Sequence, residues 1–211
     1  MAKNIVSINT LIGKTILSRS TGNKLGQVQD LFVDPIKGLL LGLTIQMSNN
    51  GVGGIAYNEI YSFGQDAVMV NTDESVQPLA DGWSQNYSHA KNLIGTKIIT
   101  DGGKFLGQIA NVYIQLASLP LVIYEVRESL LDKLLGRGFF IPASVGSALS
   151  DDAERIVVPS DTTLNAASSL EALTAQTQAE IPDDFVSVQS WEQEETMVRA
   201  RNVTDQPDAI Y

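Results

Sequence analysis

The sequence predicts an all-β protein, with two tandem small β-barrels followed by a short helix and a largely irregular acidic tail. The first observation behind this prediction is a repeat, because residues 25–34 return in altered form as residues 106–114. Each copy follows a similar opening, residues 11–16 in the first and residues 93–98 in the second. The second observation is a series of short apolar runs with turn residues every ~8–12 positions, which is typical of small sandwiches and barrels. Together these features indicate two similar modules in tandem.

The repeat and a change of composition near residue 160 divide the chain into four regions. We predict a first barrel domain at residues 1–78, a linker at 79–92 and a second barrel domain at 93–160. An acidic C-terminal extension follows at residues 161–211. Within it we predict a helix near 164–178, because apolar residues recur there at helical spacing.

In the first barrel, runs rich in Val, Ile, Leu and Phe predict strands, and Gly, Asn, Asp and Pro mark the turns between them. The predicted strands are residues 15–18, 26–33, 39–47, 55–60 and 67–70. Residues 39–47 are apolar almost throughout, which favours either a central strand buried on both faces or a strongly curved strand.

The second barrel repeats this scheme with variations. Its predicted strands are residues 98–99, 108–116, 121–126, 140–142 and 155–158. Pro142 has no backbone N–H to donate, so we expect this residue on an edge strand or at the start of its strand. The two copies therefore share their strands and differ in their loops.

The chain of 211 residues has a formal net charge of −10, and this charge is concentrated in the C-terminal extension. Residues 161–211 hold ten acidic residues and two basic ones, Arg199 and Arg201. This balance argues against broad nucleic-acid binding, which requires lysine and arginine to neutralise phosphates. Because the chain has no cysteine, we expect no disulfide and no thiolate metal site, which fits a reducing compartment. We expect no secretory signal and, since no apolar run approaches ~20 residues, only peripheral membrane contact.

Residues that carry chemistry are few, and we predict no catalytic, cofactor-binding or metal-binding residue and no cofactor. His89 is the only histidine, and we expect it on the surface or in the linker, since general base catalysis needs a partner placed by the fold. Pairs of acids at residues 73–74, 151–152 and 183–184 lie in predicted turns or in the tail, where we expect them to be solvated.

The most unusual segment is residues 130–140, which replaces the glycine-rich loop of the first copy. Its leucines fall on one helical face, and it either caps its own barrel or forms an apolar patch that binds a partner or a membrane surface. An aromatic cluster in the acidic tail either packs on the protein's own surface or folds on binding. The candidate partner-binding residues are Leu130, Leu131, Leu134, Leu135, Phe139, Phe140, Phe185 and Trp191.

The first copy opens with Ile12-Gly13, continues with a glycine turn and a Leu-Gly strand in residues 22–30, and has an Asp-x-x-x-Gly turn at 34–38. In these features it resembles the PRC-barrel family, which is named for the cytoplasmic domain of the H subunit of photosynthetic reaction centres. The family also includes the C-terminal domain of a ribosome maturation factor. The first copy has Ala56-Tyr57 where the family often has Ile-Pro. The second copy has Ile141-Pro142 but lacks the Asp-to-Gly turn.

The resemblance implies small β-barrels that bind proteins or RNA and are not enzymes. Tandem PRC barrels with acidic tails are similar to proteins of photosynthetic bacteria, including cyanobacteria. We therefore expect an assembly or scaffold factor associated with the photosynthetic apparatus, located in the cytoplasm or peripherally on the cytoplasmic face of a thylakoid membrane. Its expected partners are proteins, including membrane photosynthetic complexes, and two small modules are also compatible with self-association. The alternative is a ribosome- or RNA-associated maturation factor, for which the sequence offers only scattered lysines.

Overall fold

The computed structural model describes residues 5–48, 50–79, 87–116, 119–128, 138–150, 152, 154–162 and 166–177. These residues are mostly β, as the sequence predicts. The strands are β1 (Ile5–Ser7), β2 (Thr15–Ser18), β3 (Lys24–Asp34), β4 (Leu39–Met47), β5 (Val52–Ala56), β6 (Ile60–Phe63), β7 (Ala67–Val70), β8 (Gln77–Pro78), β9 (Ser88–His89), β10 (Lys97–Thr100), β11 (Phe105–Gln115), β12 (Leu121–Arg127), β13 (Phe139–Pro142), β14 (Ala148–Leu149) and β15 (Arg155–Val158). The α-helices are α1 (Ile8–Leu11) and α2 (Leu170–Thr177), and 3-10 turns span Tyr57–Glu59, Asp73–Ser75, Ala90–Leu93 and Ala143–Val145.

One scheme of strand pairing occurs twice. In the N-terminal half (residues 15–70), β2 pairs antiparallel with β3 and parallel with β7, and antiparallel pairs join β3 to β4, β4 to β5 and β6 to β7. In the C-terminal half (residues 97–158), β10 takes the place of β2, with β11 and β15 beside it. Antiparallel pairs then join β11 to β12, β12 to β13 and β14 to β15. The repeat in the sequence is therefore also a repeat of topology.

Neither half is a closed barrel. Among the described strands, no pairing joins β5 to β6 or β13 to β14, although each pair flanks a short 3-10 turn. In the N-terminal half the far edge of β5 is already used, because β8 pairs with it at Gly53 and Gly54. Among the described strands, the two predicted barrels are thus open sheets.

The two halves exchange strands with each other. β1, which precedes the N-terminal half, pairs with β11 of the C-terminal half. Reciprocally, β9 pairs with β3, so the end of the predicted linker belongs to the sheet. Between the halves Leu39 pairs with Leu121, flanked by two reciprocal backbone bonds. The N–H of Leu40 donates to the Pro120 oxygen at 3.0 Å, and that of Val122 donates to the Gly38 oxygen at 2.8 Å.

A single apolar cluster forms the main core and draws on both halves. Its buried members alternate with outward-facing residues along the strands, as expected for a sheet with one buried face. They include Leu11, Ile16, Leu31, Leu43, Ile45 and Val68 from the first part of the chain and Leu93, Ile98, Ile109, Val112, Tyr124 and Ile156 from the second. Residues 5–11 and 88–93 add their buried side chains to this core, which explains why the exchange is stable.

The C-terminal helix is shorter than the predicted stretch of residues 164–178. α2 begins at Leu170, because Ala167 is in extended backbone and forms an isolated antiparallel bridge with Phe140. Both backbone bonds of the bridge are present, at 2.9 and 3.0 Å. The side-chain hydroxyl of Ser169 accepts a bond from the N–H of Ala172 at 3.2 Å and so caps the first turn.

Candidate interaction surface

The outer face of the C-terminal sheet carries a second apolar cluster, separate from the main core. Its members from the sheet are Ile5 of β1, Tyr113 of β11, Ile123 of β12 and Phe140 of β13, which we call the Phe140 face. These residues alternate with core residues along their strands, since the side chains of successive residues point to opposite faces. The strand exchange completes the face, because β1 comes from the far end of the chain.

Among the described residues, three side chains of the C-terminal segment cover this face. Ala167 and Leu173 are buried against it, Leu173 being 1% exposed, and Leu170 packs beside them. The rings of Tyr113 and Phe140 lie 6.0 Å apart in an edge-to-face arrangement, a favourable geometry for aromatic pairs. The face is therefore a shaped apolar surface that already holds a short helix.

A charged network borders the Phe140 face. The Glu125 side chain is 8% exposed, and it accepts bonds from Arg127 Nε at 2.8 Å and from the Tyr113 hydroxyl at 3.2 Å. Arg127 also donates to it through a terminal guanidinium nitrogen. Burial raises the pKa of Tyr113, and the Glu125 charge adds to this effect, so the phenol stays neutral and acts as a donor. A buried carboxylate needs such partners, which makes Arg127 and Tyr113 essential to this arrangement.

The corresponding face of the N-terminal half has a different character. At the positions 81 residues before Tyr113, Ile123 and Glu125 lie Phe32, Gly42 and Thr44. Phe32 packs on the ring of His89, with the ring centroids 4.8 Å apart. A glycine in place of Ile123 removes the apolar side chain at the centre of the face. Within the described residues, an apolar outer face that holds a helix therefore occurs in the C-terminal half.

His89 lies on β9, where the two halves exchange strands. Its Nδ1 is 3.5 Å from Asp30 Oδ2, and the other carboxylate oxygen of Asp30 accepts the N–H groups of Leu31 and Lys91. These contacts hold the β9 segment against β3. His89 is a partly exposed residue with a structural partner, close to the position expected from the sequence.

Two shallow clefts lie elsewhere on the surface. One is lined by Ala56, Glu59, Thr72, Glu74, Ser75 and Gln77, the other by Asn92, Ile94, Gly95, Thr96, Lys97, Asp152 and Glu154. In the first, the Glu59 carboxylate accepts a bond from the Ser75 hydroxyl at 2.7 Å. Within the described parts of the chain, no group of three or more His, Asp or Glu side chains could hold a metal ion. The same residues include no helix with the length and apolarity required to cross a membrane.

The structure describes only two of the eight candidate partner-binding residues. Phe139 packs against the main core and Phe140 belongs to the Phe140 face; both are at the C-terminal end of the segment 130–140 singled out from the sequence. The other candidates, Leu130, Leu131, Leu134, Leu135, Phe185 and Trp191, lie outside the described residues.

Sequence reasoning missed most of the residues that form the Phe140 face. Tyr113 and Ile123 were assigned only to strands, and Leu173 only to a helical stripe. One signal was present in the sequence: residue 42 is a glycine, whereas its counterpart 81 residues later, Ile123, is large and apolar. Strand pairing adds Gly54 as the counterpart of Phe140, which shifts the sequence alignment of Ala56-Tyr57 with Ile141-Pro142 by one residue. Large side chains at outward positions in one copy of a repeat indicate that this copy has an additional contact.

The comparison with known families agrees with the sheet described above. Residues 3–77 match the family model for the PRC-barrel domain, so the chain contains a PRC-barrel domain at these positions. The match covers β1 to β7 and reaches the start of β8, including the strand that the N-terminal half gives to β11. No curated protein matches the sequence.

Proposed function

We propose that the chain is a non-enzymatic protein-interaction module that acts as an assembly or scaffold factor. The observation that carries the proposal is the Phe140 face, an apolar outer surface next to a fully partnered charged network. Such a surface fits the anatomy of a binding site, with apolar residues at the centre and charges at the rim. The residues that precede it in sequence, 129–137, include the four candidate leucines.

We further propose that the two halves are tandem PRC-type barrels. Two features support this: the pairing scheme of the N-terminal half recurs strand for strand in the C-terminal half, and the first copy lies within the PRC-barrel domain. We propose the boundaries 1–78 and 93–160 for the repeated units, with the acidic extension after residue 160, although β1 and β9 pair across these boundaries.

The proposed partners are membrane photosynthetic complexes, met at the cytoplasmic side of the membrane. This part of the proposal rests on the resemblance to the photosynthetic reaction-centre domain and on the acidic C-terminal extension. In the proposed mechanism the leucines of residues 130–135, with Phe139 and Phe140, supply apolar contact. The acidic tail, with Phe185 and Trp191, selects partners by charge, since electrostatics governs specificity more than affinity.

Affinity capture from membrane and soluble extracts, followed by mass spectrometry, tests the proposal. We expect the intact chain to recover membrane photosynthetic proteins, and Leu134→Asp to lose them. Val52→Asp is the matched control, because Val52 is an aliphatic residue that is 44% exposed on β5 of the N-terminal half and should not affect capture. A truncated form that ends at Thr177 lacks Phe185 and Trp191, so its recovery of partners, compared with that of the intact chain, measures what these two residues contribute.

Two outcomes would count against the proposal. If Leu134→Asp recovered the same proteins as the intact chain, residues 130–140 would have no part in the proposed mechanism. Recovery of ribosomal RNA that falls steeply with added salt would favour the ribosome-associated alternative, since phosphate contacts are salt-dependent.

A further inference from the structure

We propose that the Phe140 face is a docking site for a short amphipathic helix with two leucines three residues apart, and that α2 is its displaceable resident. This inference rests on the proposed interaction function and specifies the chemistry of the partner. The partner class follows from what the face already holds. Ala167, Leu170 and Leu173 are the side chains in contact, and the last two are one helical turn apart.

The bound segment shows how such a partner is recognised. An alanine comes first, in extended backbone, and its two backbone bonds to Phe140 fix the register. A small residue fits here because the bridge brings the segment close to β13. Two serines follow, the second of which caps the helix, and then come the two leucines. The required pattern is therefore a small residue, a serine-like cap and a helix that presents Leu at positions i and i+3.

The resident segment is short and depends on the Phe140 face for its helical form. α2 has eight residues, and a helix of this length does not persist in water without packing. Its outward residues Glu171 and Ala172 are exposed. The corresponding segment of the N-terminal half is held by a strand instead of a helix: β8 pairs with β5 through two residues, and the Ser75 hydroxyl donates to Glu59 and accepts the Thr72 N–H.

Release of α2 would leave the main core intact. The Phe140 face belongs to a separate apolar cluster, and its strands pair through β11 and β12, which contribute to the main core on their other side. The resident segment also competes with any partner for the Phe140 face. A tethered segment acts at an effective concentration near the millimolar range, so only a partner with further contacts can replace it.

Binding in trans tests the proposal on the full-length protein. The probe is a fluorescent peptide of residues 166–177, and the receptor is the double variant Leu170→Asp/Leu173→Asp, whose own segment cannot occupy the face. We expect the peptide to bind this variant at least about tenfold more tightly than the unmodified chain, where the tethered segment competes. A peptide with Leu173→Asp is the matched control and should bind neither form. Equal binding to both receptors, or binding to neither, would overturn the proposal.

Hydrogen exchange on the unmodified chain gives a second test that does not depend on the variant's folding. We expect the amides of Ala167 and Leu173 to exchange at least about tenfold faster than those of Ile123 and Tyr124, because local opening frees only the segment. Equal protection would show that the segment is part of the core and would overturn the proposal. These results are separable from the capture experiment, since a failed docking site leaves recovery of partners through Leu134 unaffected.

Discussion

Gly26 and Gly107 hold the same place in the two halves, and neither position has room for a side chain. A Cβ on Gly26 would lie 2.2 Å from the carbonyl oxygen of Gln46, and one on Gly107 would lie 2.6 Å from that of Arg127. Both contacts are with the backbone of the neighbouring strand, so no side chain can move aside. The repeated Leu-Gly-Gln triplet therefore records a close approach of two strands.

We predict that Gly26→Ala lowers the free energy of unfolding by about 2–3 kcal/mol, because the added methyl forces β3 and β4 apart. Gly107→Ala should have a similar effect between β11 and β12. Gly102→Ala is the control, because its nearest neighbour is a serine side-chain oxygen at 3.2 Å and the residue does not require positive φ. Urea denaturation measures all three, and a neutral Gly26→Ala would contradict the explanation.

Thr44 and Glu125 also occupy equivalent positions, but their side chains differ in hydrogen bonding. The Glu125 carboxylate accepts bonds from Tyr113 and Arg127, whereas the buried Thr44 hydroxyl has no hydrogen-bond partner among the described residues. A buried hydroxyl that makes no bond costs free energy, and valine has nearly the same shape.

We predict that Thr44→Val raises the free energy of unfolding by about 1 kcal/mol. Glu125→Val should lower it by about 3 kcal/mol, because it removes the acceptor that Arg127 and Tyr113 donate to. Thermal or urea unfolding of the two variants side by side measures both. Destabilisation by Thr44→Val would show that its hydroxyl has a role in the fold.

At the scale of elements, the segments of the exchanged strands β1 and β9 are held by similar hydrogen bonds to a side-chain oxygen. Asp30 accepts the N–H groups of Leu31 and Lys91, and its counterpart Asn111 accepts bonds from Val112, Ser7 and Asn9. The shared feature is a side-chain carbonyl oxygen at the bulge of the long strand, which binds the incoming segment of the other half. The second carboxylate oxygen of Asp30 additionally lies 3.5 Å from His89 Nδ1.

We predict that Asp30→Asn costs less than about 1 kcal/mol, because the amide oxygen keeps the two backbone bonds and only the exposed His89 pair is lost. Asp30→Leu should cost about 2–3 kcal/mol, since it leaves buried N–H groups without an acceptor. Urea denaturation at neutral pH measures both variants. Equal losses would mean that the charge, and not the backbone bonding, holds β9 in place.

Sequence patterns predicted most of the longer strands of both halves because their apolar runs and turn residues are local signals. The strand predicted at residues 55–60 was wrong, since these residues form the end of β5, a 3-10 turn and only the first residue of β6. They could not predict β9, which has two residues and gains its stability from Phe32 in another part of the chain. The start of α2 was also missed, because a backbone bridge to Phe140 overrides the helical spacing of Ala167. The contacts that build the Phe140 face are likewise long-range. The repeat itself was the most informative signal, since it fixed which positions to compare.

At the scale of the whole molecule, the chain folds its two halves around one core rather than two. The buried cluster is continuous across the sheet, and both short lead-in segments bury a leucine in it: Leu11 before β2 and Leu93 before β10. Each half donates a strand to the other, so neither sheet is complete alone. Two modules that repeat in sequence are thus one structural body up to α2, which explains how units of this size are stable.

This arrangement predicts a single cooperative unfolding transition. Leu11→Ala and Leu93→Ala should each lower the stability of that transition by about 2–5 kcal/mol, because each leaves a cavity in the shared core. Ile94→Ala is the matched control for Leu93, since Ile94 is 41% exposed and its truncation should change little. Scanning calorimetry provides the measurement, with a ratio of van't Hoff to calorimetric enthalpy near one for all forms. Two resolved transitions, one shifted by Leu11→Ala and the other by Leu93→Ala, would show instead that the halves fold as independent domains and that strand exchange contributes little to their stability.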